Sequence, residues 1–418
     1  MRHQFKQLFL SKLLRAGGWL FTGGVAGGIL GYLFQIIMGR MLSVSEYGTF
    51  SALMASLVVI GVPMLALSMI ISRQVSAYRL KKDKNILGYL FYGVNKKLFL
   101  FGVALTIFVV LNINSLLNFL AIEKNTHLYL FLIIILIAFP QSINNAYLQG
   151  LQYFKWLSFS GVLVTLLKII MAVILVNFGL GVDGALGGII FSTLVILILT
   201  FFVIRPSLGN NNFRFFSPKK NLLFEYAIPV LFANIAFALM TQADMVLVKH
   251  FFSEQDAGIY AAASVLGKAV LYLPGAFAIA LFPMVAENHA LGKSSINLFL
   301  QAIGLTAFLS LIGSLFFYFL ADHIILLSYG TDYKEASSIL KYFGFAVLPM
   351  SLIMVAEYFL IAMGRVLFAY LFIVVAPLQL ITIYYNHNTM LSIVFIMFMS
   401  GAILAMAGYG LLWKEFKK

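Results

Sequence analysis

Twelve runs of about twenty apolar residues follow one another along this chain, near 17–39, 49–71, 98–120, 127–149, 157–178, 181–204, 223–248, 258–284, 295–320, 339–362, 366–385 and 390–413. A hydrocarbon core about 30 Å thick needs roughly 20 such residues per helix. Within lipid only a helix satisfies its backbone polar groups inside one segment, the alternative being a closed barrel of short alternating strands. The runs therefore predict an all-α polytopic membrane protein with twelve transmembrane helices. Arg2, Lys6, Lys12 and Arg15 precede the first run in the manner of a signal peptide, yet residues 16–39 carry no charge. That is longer than an h-region of about 7–15 residues, so the run reads as an uncleaved first span.

Composition agrees: 62% of residues are hydrophobic and 10% charged, against roughly 25% charged in an ordinary soluble domain. The net charge of +14 is explained by topology. With both termini inside, the only Lys and Arg residues outside are Arg40, Lys124, Lys249, Lys334 and Lys341, and Lys168 and Lys268 lie within spans; every other one is inside. This is the positive-inside pattern, with anionic lipid head groups as further partners. Nucleic acid is not an expected partner, because no basic segment belongs to a folded soluble domain. The absence of cysteine excludes disulfide and thiolate chemistry.

The most polar stretch, 205–221, lies near the midpoint and carries two prolines, a glycine and four basic residues. It predicts an N-terminal six-helix bundle over 1–205, a cytoplasmic linker over 206–222 and a C-terminal six-helix bundle over 223–418. The bundles share a motif at a constant offset of 210, Ser43, Glu46, Gly48, Phe50 and Ala52 matching Ser253, Asp256, Gly258, Tyr260 and Ala262, while Pro63 falls one position from the counterpart of Pro274. A six-plus-six repeat with pseudo-two-fold symmetry follows, an arrangement that commonly encloses a substrate cavity. The longest external loop, about 321–338, leaves no room for a folded external domain.

Gly292-Lys293-Ser294 lacks the upstream glycine of a P-loop, Glu287 standing in its place. No cofactor is expected. The six histidines, His3, His127, His250, His289, His323 and His387, lack metal-ligand spacing and read as solvated loop residues.

Charges inside spans are the informative residues, since an ion at the bilayer centre costs at least about 2.5–3.5 kcal/mol. Lys168 lies about 16 Å into the fifth span, on a stripe with Ser158, Gly161, Thr165 and Ala172. Lys268 lies about 15 Å into the eighth, on a stripe with Ala261, Ser264, Tyr272 and Gly275. Two such ammonium groups suit an anionic substrate; the competing reading is a pair of structural or snorkelling lysines. Arg40 and Lys249 end the first span of each bundle, and Asp244 lies one turn deeper than Lys249. They read either as an external gate with a phosphate contact or as interface anchors with an Asp244–Lys249 ion pair. Arg73 is a gate residue or a positive-inside anchor. Glu357 has no charged neighbour on its helix and is either a coupling acid or a structural carboxyl paired across helices. The glycines at 17, 18, 23, 24, 27, 28 and 31 predict close helix packing on the first span.

The Gly-rich first span ending Gly39-Arg40, Ser43-x-x-Glu46-Tyr47-Gly48-x-Phe50, Gln242-x-Asp244 leading into Asp256-x-Gly258-x-Tyr260, and Leu281-Phe282-Pro283 resemble the multidrug/oligosaccharidyl-lipid/polysaccharide exporter superfamily. Within it they are most similar to the bacterial O-antigen and capsule flippases. The resemblance implies a MATE-like fold and alternating-access translocation of an undecaprenyl-diphosphate-linked oligosaccharide from inner to outer leaflet, driven by an ion gradient. It also implies a bacterial inner-membrane location with cytoplasmic termini, membrane lipids as partners and association with polysaccharide polymerase machinery. Lys268, Lys168, Arg40 and Lys249 would then contact substrate, and Asp244, Glu357 and Arg73 would couple or gate. A drug exporter of the same fold is the alternative, disfavoured by a first span without an acid. A membrane glycosyltransferase or polymerase is a further one, for which no cluster of catalytic acids is present.

Overall fold

The computed structural model describes residues 2–81, 83–209, 221–272, 285, 295–362 and 367–416. Most of the linker, the eighth predicted span beyond Tyr272, and with it Pro274, Gly275 and Leu281-Phe282-Pro283, lie outside the described residues. Among the described residues there is no strand. The helices are α1 (Arg2–Met41), α2 (Val44–Leu80), α3 (Lys84–Leu111), α4 (Ile113–Leu120), α5 (Asn125–Gly150), α6 (Phe154–Leu175), α7 (Gly181–Ile204), α8 (Asn221–Phe251), α9 (Glu254–Gly267), α10 (Ala269–Tyr272), α11 (Ile296–Ser328), α12 (Ala336–Ala362), α13 (Leu367–Tyr385) and α14 (Met390–Phe416). Nine described helical segments are long and apolar enough to cross a membrane, one being the continuous stretch Phe154–Ser207. That stretch is two passes. Gly179 and Gly181 take φ of 84° and 51°, and α7 turns back on α6 so that Gly184 meets Leu175 and Val176, and Gly188 meets Ala172. The chain is a multi-pass membrane protein.

Helices outrun the apolar runs that predicted them. The basic region 72–97 is almost wholly helical, because α2 continues to Leu80 and α3 starts at Lys84; hydropathy marks the hydrocarbon, whereas the hydrogen-bond ladder continues into the head-group region. The third predicted span breaks at Asn112, whose side-chain amide donates to the Phe108 carbonyl (2.9 Å).

The chain forms two compact units, one of Met1–Leu42 with Pro63–Pro218 and one of Ser43–Val62 with Lys219–Lys418. The change of unit within α2 falls at Pro63, where the ring removes the backbone donor to Val59 and loosens the helix locally.

In the first unit α1 lies on α6, with Ser158 Oγ donating to the Trp19 carbonyl (2.6 Å). Asn144 of α5 donates to the Leu197 carbonyl (3.0 Å) and Thr200 Oγ1 (2.9 Å) of α7, and Phe91 of α3 meets Tyr147 of α5 edge to face at 5.1 Å. In the second unit the repeated motif takes one form twice. Ser43 N donates to Glu46 Oε2 (3.0 Å) and Glu46 N to Ser43 Oγ (3.3 Å), a capping box at the start of α2. At α9, Asp256 N donates to Ser253 Oγ (3.1 Å), which in turn donates to Asp256 Oδ2 (2.6 Å). The two helix starts cross at Gly48 and Gly258: a Cβ on Gly48 would stand 2.7 Å from Gly258 N, and one on Gly258 would strike the Val44 carbonyl. Tyr47 is tied in by its hydroxyl contact with Tyr329 (3.0 Å).

Gly258→Val overfills this crossing, where a side chain meets backbone that cannot swing aside. The expected loss exceeds the usual overpacking cost of about 1–3 kcal/mol and appears as a lower melting temperature and a smaller monodisperse fraction by fluorescence-detected size exclusion. Gly304→Ala, with open space around its Cβ, serves as the neutral control.

Candidate functional site

A buried polar cluster of the second unit centres on Asp244, which is fully buried in α8. Along α9 and its C-cap, Tyr260, Ser264 and Lys268 recur every fourth residue, a spacing that places them on one helix face. All three point at that carboxylate. Tyr260 OH donates to Oδ2 at 2.9 Å, Ser264 Oγ lies 3.4 Å from the same oxygen, and Lys268 Nζ donates to Oδ1 at 3.0 Å. Lys268 also stands 6.0 Å from the centre of the Phe343 ring, and Phe343 is held against α9 at Gly267, where a Cβ would come within 2.5 Å of it. A buried carboxylate with an ammonium, a phenol and a hydroxyl has its acceptor sites occupied, which offsets the cost of removing it from water.

The predicted Asp244–Lys249 pair is absent. Five residues along a helix turn the side chains about 140° apart, so Asp244 faces α9 while Lys249 Nζ bonds Glu254 Oε1 at 2.9 Å across the α8–α9 turn. The Lys249 side chain is wholly buried and sits in the last turn of α8, where a cation meets the negative end of the helix dipole. Glu357 of α12 is also buried, and its Oε1 has no hydrogen-bond partner among the described residues. On the same helix as Asp244, the Met240 carbonyl accepts from Gln379 Nε2 (2.9 Å), and Gln379 Oε1 accepts from Ser400 Oγ (2.6 Å).

In the first unit Lys168 places its ammonium 4.2 Å from the centre of the Phe34 ring and has no ion-pair partner among the described residues. The stripe it shares is anchored at both ends, Ser158 on Trp19 of α1 and Ala172 on Gly188 of α7. Next to Phe34, Gln35 Oε1 is buried without a partner among the described residues. The glycines of α1 do not all pack closely as predicted. A Cβ on Gly23 would strike Ser158, but Gly18, Gly24, Gly27, Gly28 and Gly31 have nothing within 4 Å, so most of that face is open and the stripe leaves room rather than bringing helices together. Arg40 is exposed at the end of α1 and Arg73 is exposed in α2.

Two features were missed from sequence. His127 is not a solvated loop residue. It is buried in α5 and its Nδ1 lies 2.6 Å from Asp183 Oδ1, while Thr126 Oγ1 donates to Asp183 Oδ2 at 2.9 Å. His387 stacks on Phe251 at 3.7 Å. The His127 contact joins residues more than fifty apart, and nothing in their local sequence signals it. The Tyr260-x3-Ser264-x3-Lys268 spacing, by contrast, was visible. Among the described residues no group of three His, Asp or Glu side chains could hold a metal.

A family model described as polysaccharide biosynthesis protein matches residues 13–289. No curated protein matches the chain. Among solved structures, an inward-facing multidrug resistance MATE family transporter of the MOP superfamily is similar at a TM-score of 0.77 and 15% identity, over 94% of each chain. The lipid II flippase MurJ in an inward closed conformation is similar at 0.75 and 16% identity, over 94% of this chain and 87% of that one. An outward-facing MATE transporter follows at 0.64 and 16%, over 96% and 95%. These likenesses establish a MATE-like fold.

Removing one partner of the buried pair strands the other. Lys268→Met is expected to cost about 3–5 kcal/mol and lower both melting temperature and membrane level. Adding Asp244→Asn should recover most of that loss, a coupling read from a double-mutant cycle of thermal melts.

Proposed function

The chain belongs to the polysaccharide biosynthesis protein family, and from that premise we propose that it is a flippase carrying an undecaprenyl-diphosphate-linked oligosaccharide from the inner to the outer leaflet of a bacterial inner membrane. Lys168 carries the reading. It is a cation within the membrane-spanning part of the first unit, held over the Phe34 ring rather than by an acid, beside the open glycine face of α1. A site of that kind favours a polyanionic headgroup and disfavours a cationic drug. The open face gives room for sugars, and the lipid tail stays in the bilayer.

In this mechanism the two six-helix bundles, joined by the 206–222 linker, work by alternating access. Lys268 is held by Asp244 when no substrate is present and exchanges that carboxylate for the diphosphate when it arrives, which makes the Asp244 cluster a charge-controlled latch. Arg40, exposed at the end of α1, contacts the headgroup at the outer side, and Glu357, a buried carboxyl with an unpartnered oxygen, takes and releases the coupling proton. Both termini face the cytoplasm, and the flipped lipid passes to polymerisation machinery outside.

The test is mass spectrometry of polyprenyl-linked saccharides in host membranes with and without the protein, alongside surface glycan. Accumulation of a completed lipid-linked oligosaccharide with loss of surface glycan supports the flippase. An unchanged lipid pool with altered drug sensitivity supports an exporter instead. Lys168→Gln is expected to lower surface glycan about tenfold to a hundredfold, the worth of one charge-assisted hydrogen bond, at near-normal membrane level. Lys168→Arg should keep part of the activity.

A further inference from the structure

The basic end of the first unit holds a cavity of about 570 Å³ between the last turns of α2 and the turn joining α5 to α6, within the size range of small-molecule sites. Arg73, Ser72, Ser76, Gln149 and Gln152 supply its polar lining, and none of its lining residues is acidic. Arg73 has no hydrogen-bond or ion-pair partner among the described residues. Phe154, the first residue of α6, also lines it. That helix start has no side-chain cap, so its first-turn amides and the positive end of its dipole remain available to an anion.

The frame is rigid. A Cβ on Gly150 would come within 2.6 Å of the Ser72 carbonyl, so α5 and α2 touch backbone to backbone. Arg79 Nη1 donates to the Leu151 carbonyl at 3.0 Å, and Tyr147 OH donates to the Leu87 carbonyl at 2.8 Å just beneath. An anchor obeying the positive-inside rule requires none of this, only a charge at the interface. The same lining includes Met69 and Leu80, 70% and 79% exposed. A cationic lining with exposed apolar side chains beside it fits an amphiphile better than a free anion.

We infer that this cavity binds the phosphate-bearing headgroup of a membrane lipid, with Arg73 and the first-turn amides of α6 on the phosphate and Met69 and Leu80 against the start of the chain. A guanidinium's paired donors match two phosphate oxygens at once. That the lipid is a polyprenyl one, held before translocation, rests on the function proposed above; the headgroup site itself does not.

The experiment is native mass spectrometry of the full chain in detergent, titrated separately with undecaprenyl phosphate, phosphatidylglycerol and inorganic pyrophosphate. Arg73→Gln removes the cation and Ala77→Glu sets a carboxylate in the lining; both positions are exposed, and each variant is checked for one symmetrical size-exclusion peak. Lys81→Gln, at the same end but outside the lining, is the charge control. Both cavity variants are expected to weaken lipid binding about tenfold, with Lys81→Gln unchanged. A preference for undecaprenyl phosphate supports the site and the flippase together. Equal, Arg73-dependent binding of phosphatidylglycerol supports the site while counting against cargo loading there. Wild-type binding by both variants overturns the inference, as does pyrophosphate binding as tightly as either lipid.

Discussion

A hydrocarbon solvent accepts no hydrogen bonds, and most of this architecture follows from that. Each backbone amide and carbonyl in the bilayer must be satisfied within its own segment, so the described residues form helices joined by turns, with no strand among them. The same solvent governs the side chains. Asp244 is tolerable because Tyr260, Ser264 and Lys268 are all brought to it by a four-residue repeat along α9 and its C-cap. Lys249 is tolerable because it meets Glu254 at a helix end. Lys168 is handled by a different device, an aromatic face, which offsets part of the desolvation without neutralising the charge. That difference makes it the informative lysine: a paired cation is a structural unit first, whereas an unpaired one keeps its attraction for an anion.

The internal repeat has a physical meaning in the crossing of α2 and α9. Each helix start needs a cap for its free amides, supplied by a serine with an acid three residues on, and each needs a glycine where the other backbone passes. Ser, acid and Gly recur at one offset because the two copies meet each other with related geometry. Pro63, seen first as part of the repeat, marks where α2 leaves the second unit for the first. A proline is suited to that place because the missing amide lets the two halves of one helix follow different neighbours.

Several local signals misled because they report preference rather than partner. Hydropathy ended α2 near residue 71, but its last turns continue to Leu80 and line the Arg73 cavity. Six scattered histidines gave no reason to single out His127, yet the fold brings Asp183 to its ring. The glycines over 18–31 of α1 suggested contact; Gly23 makes it, whereas Gly18, Gly24, Gly27, Gly28 and Gly31 face open space.

The sequence by itself determined the solvent and the helical class, because apolar length acts locally and additively along a chain. It also determined which residues were too costly to be incidental: Asp244, Lys268, Lys168 and Glu357 stand out from the hydrophobic runs around them. Tertiary structure decided which of those charges are matched. Whether Lys268 reaches Asp244 or Asp244 reaches Lys249 depends on helix rotation and crossing, and these are set by the summed packing of neighbouring helices, to which no single stretch of sequence holds the key.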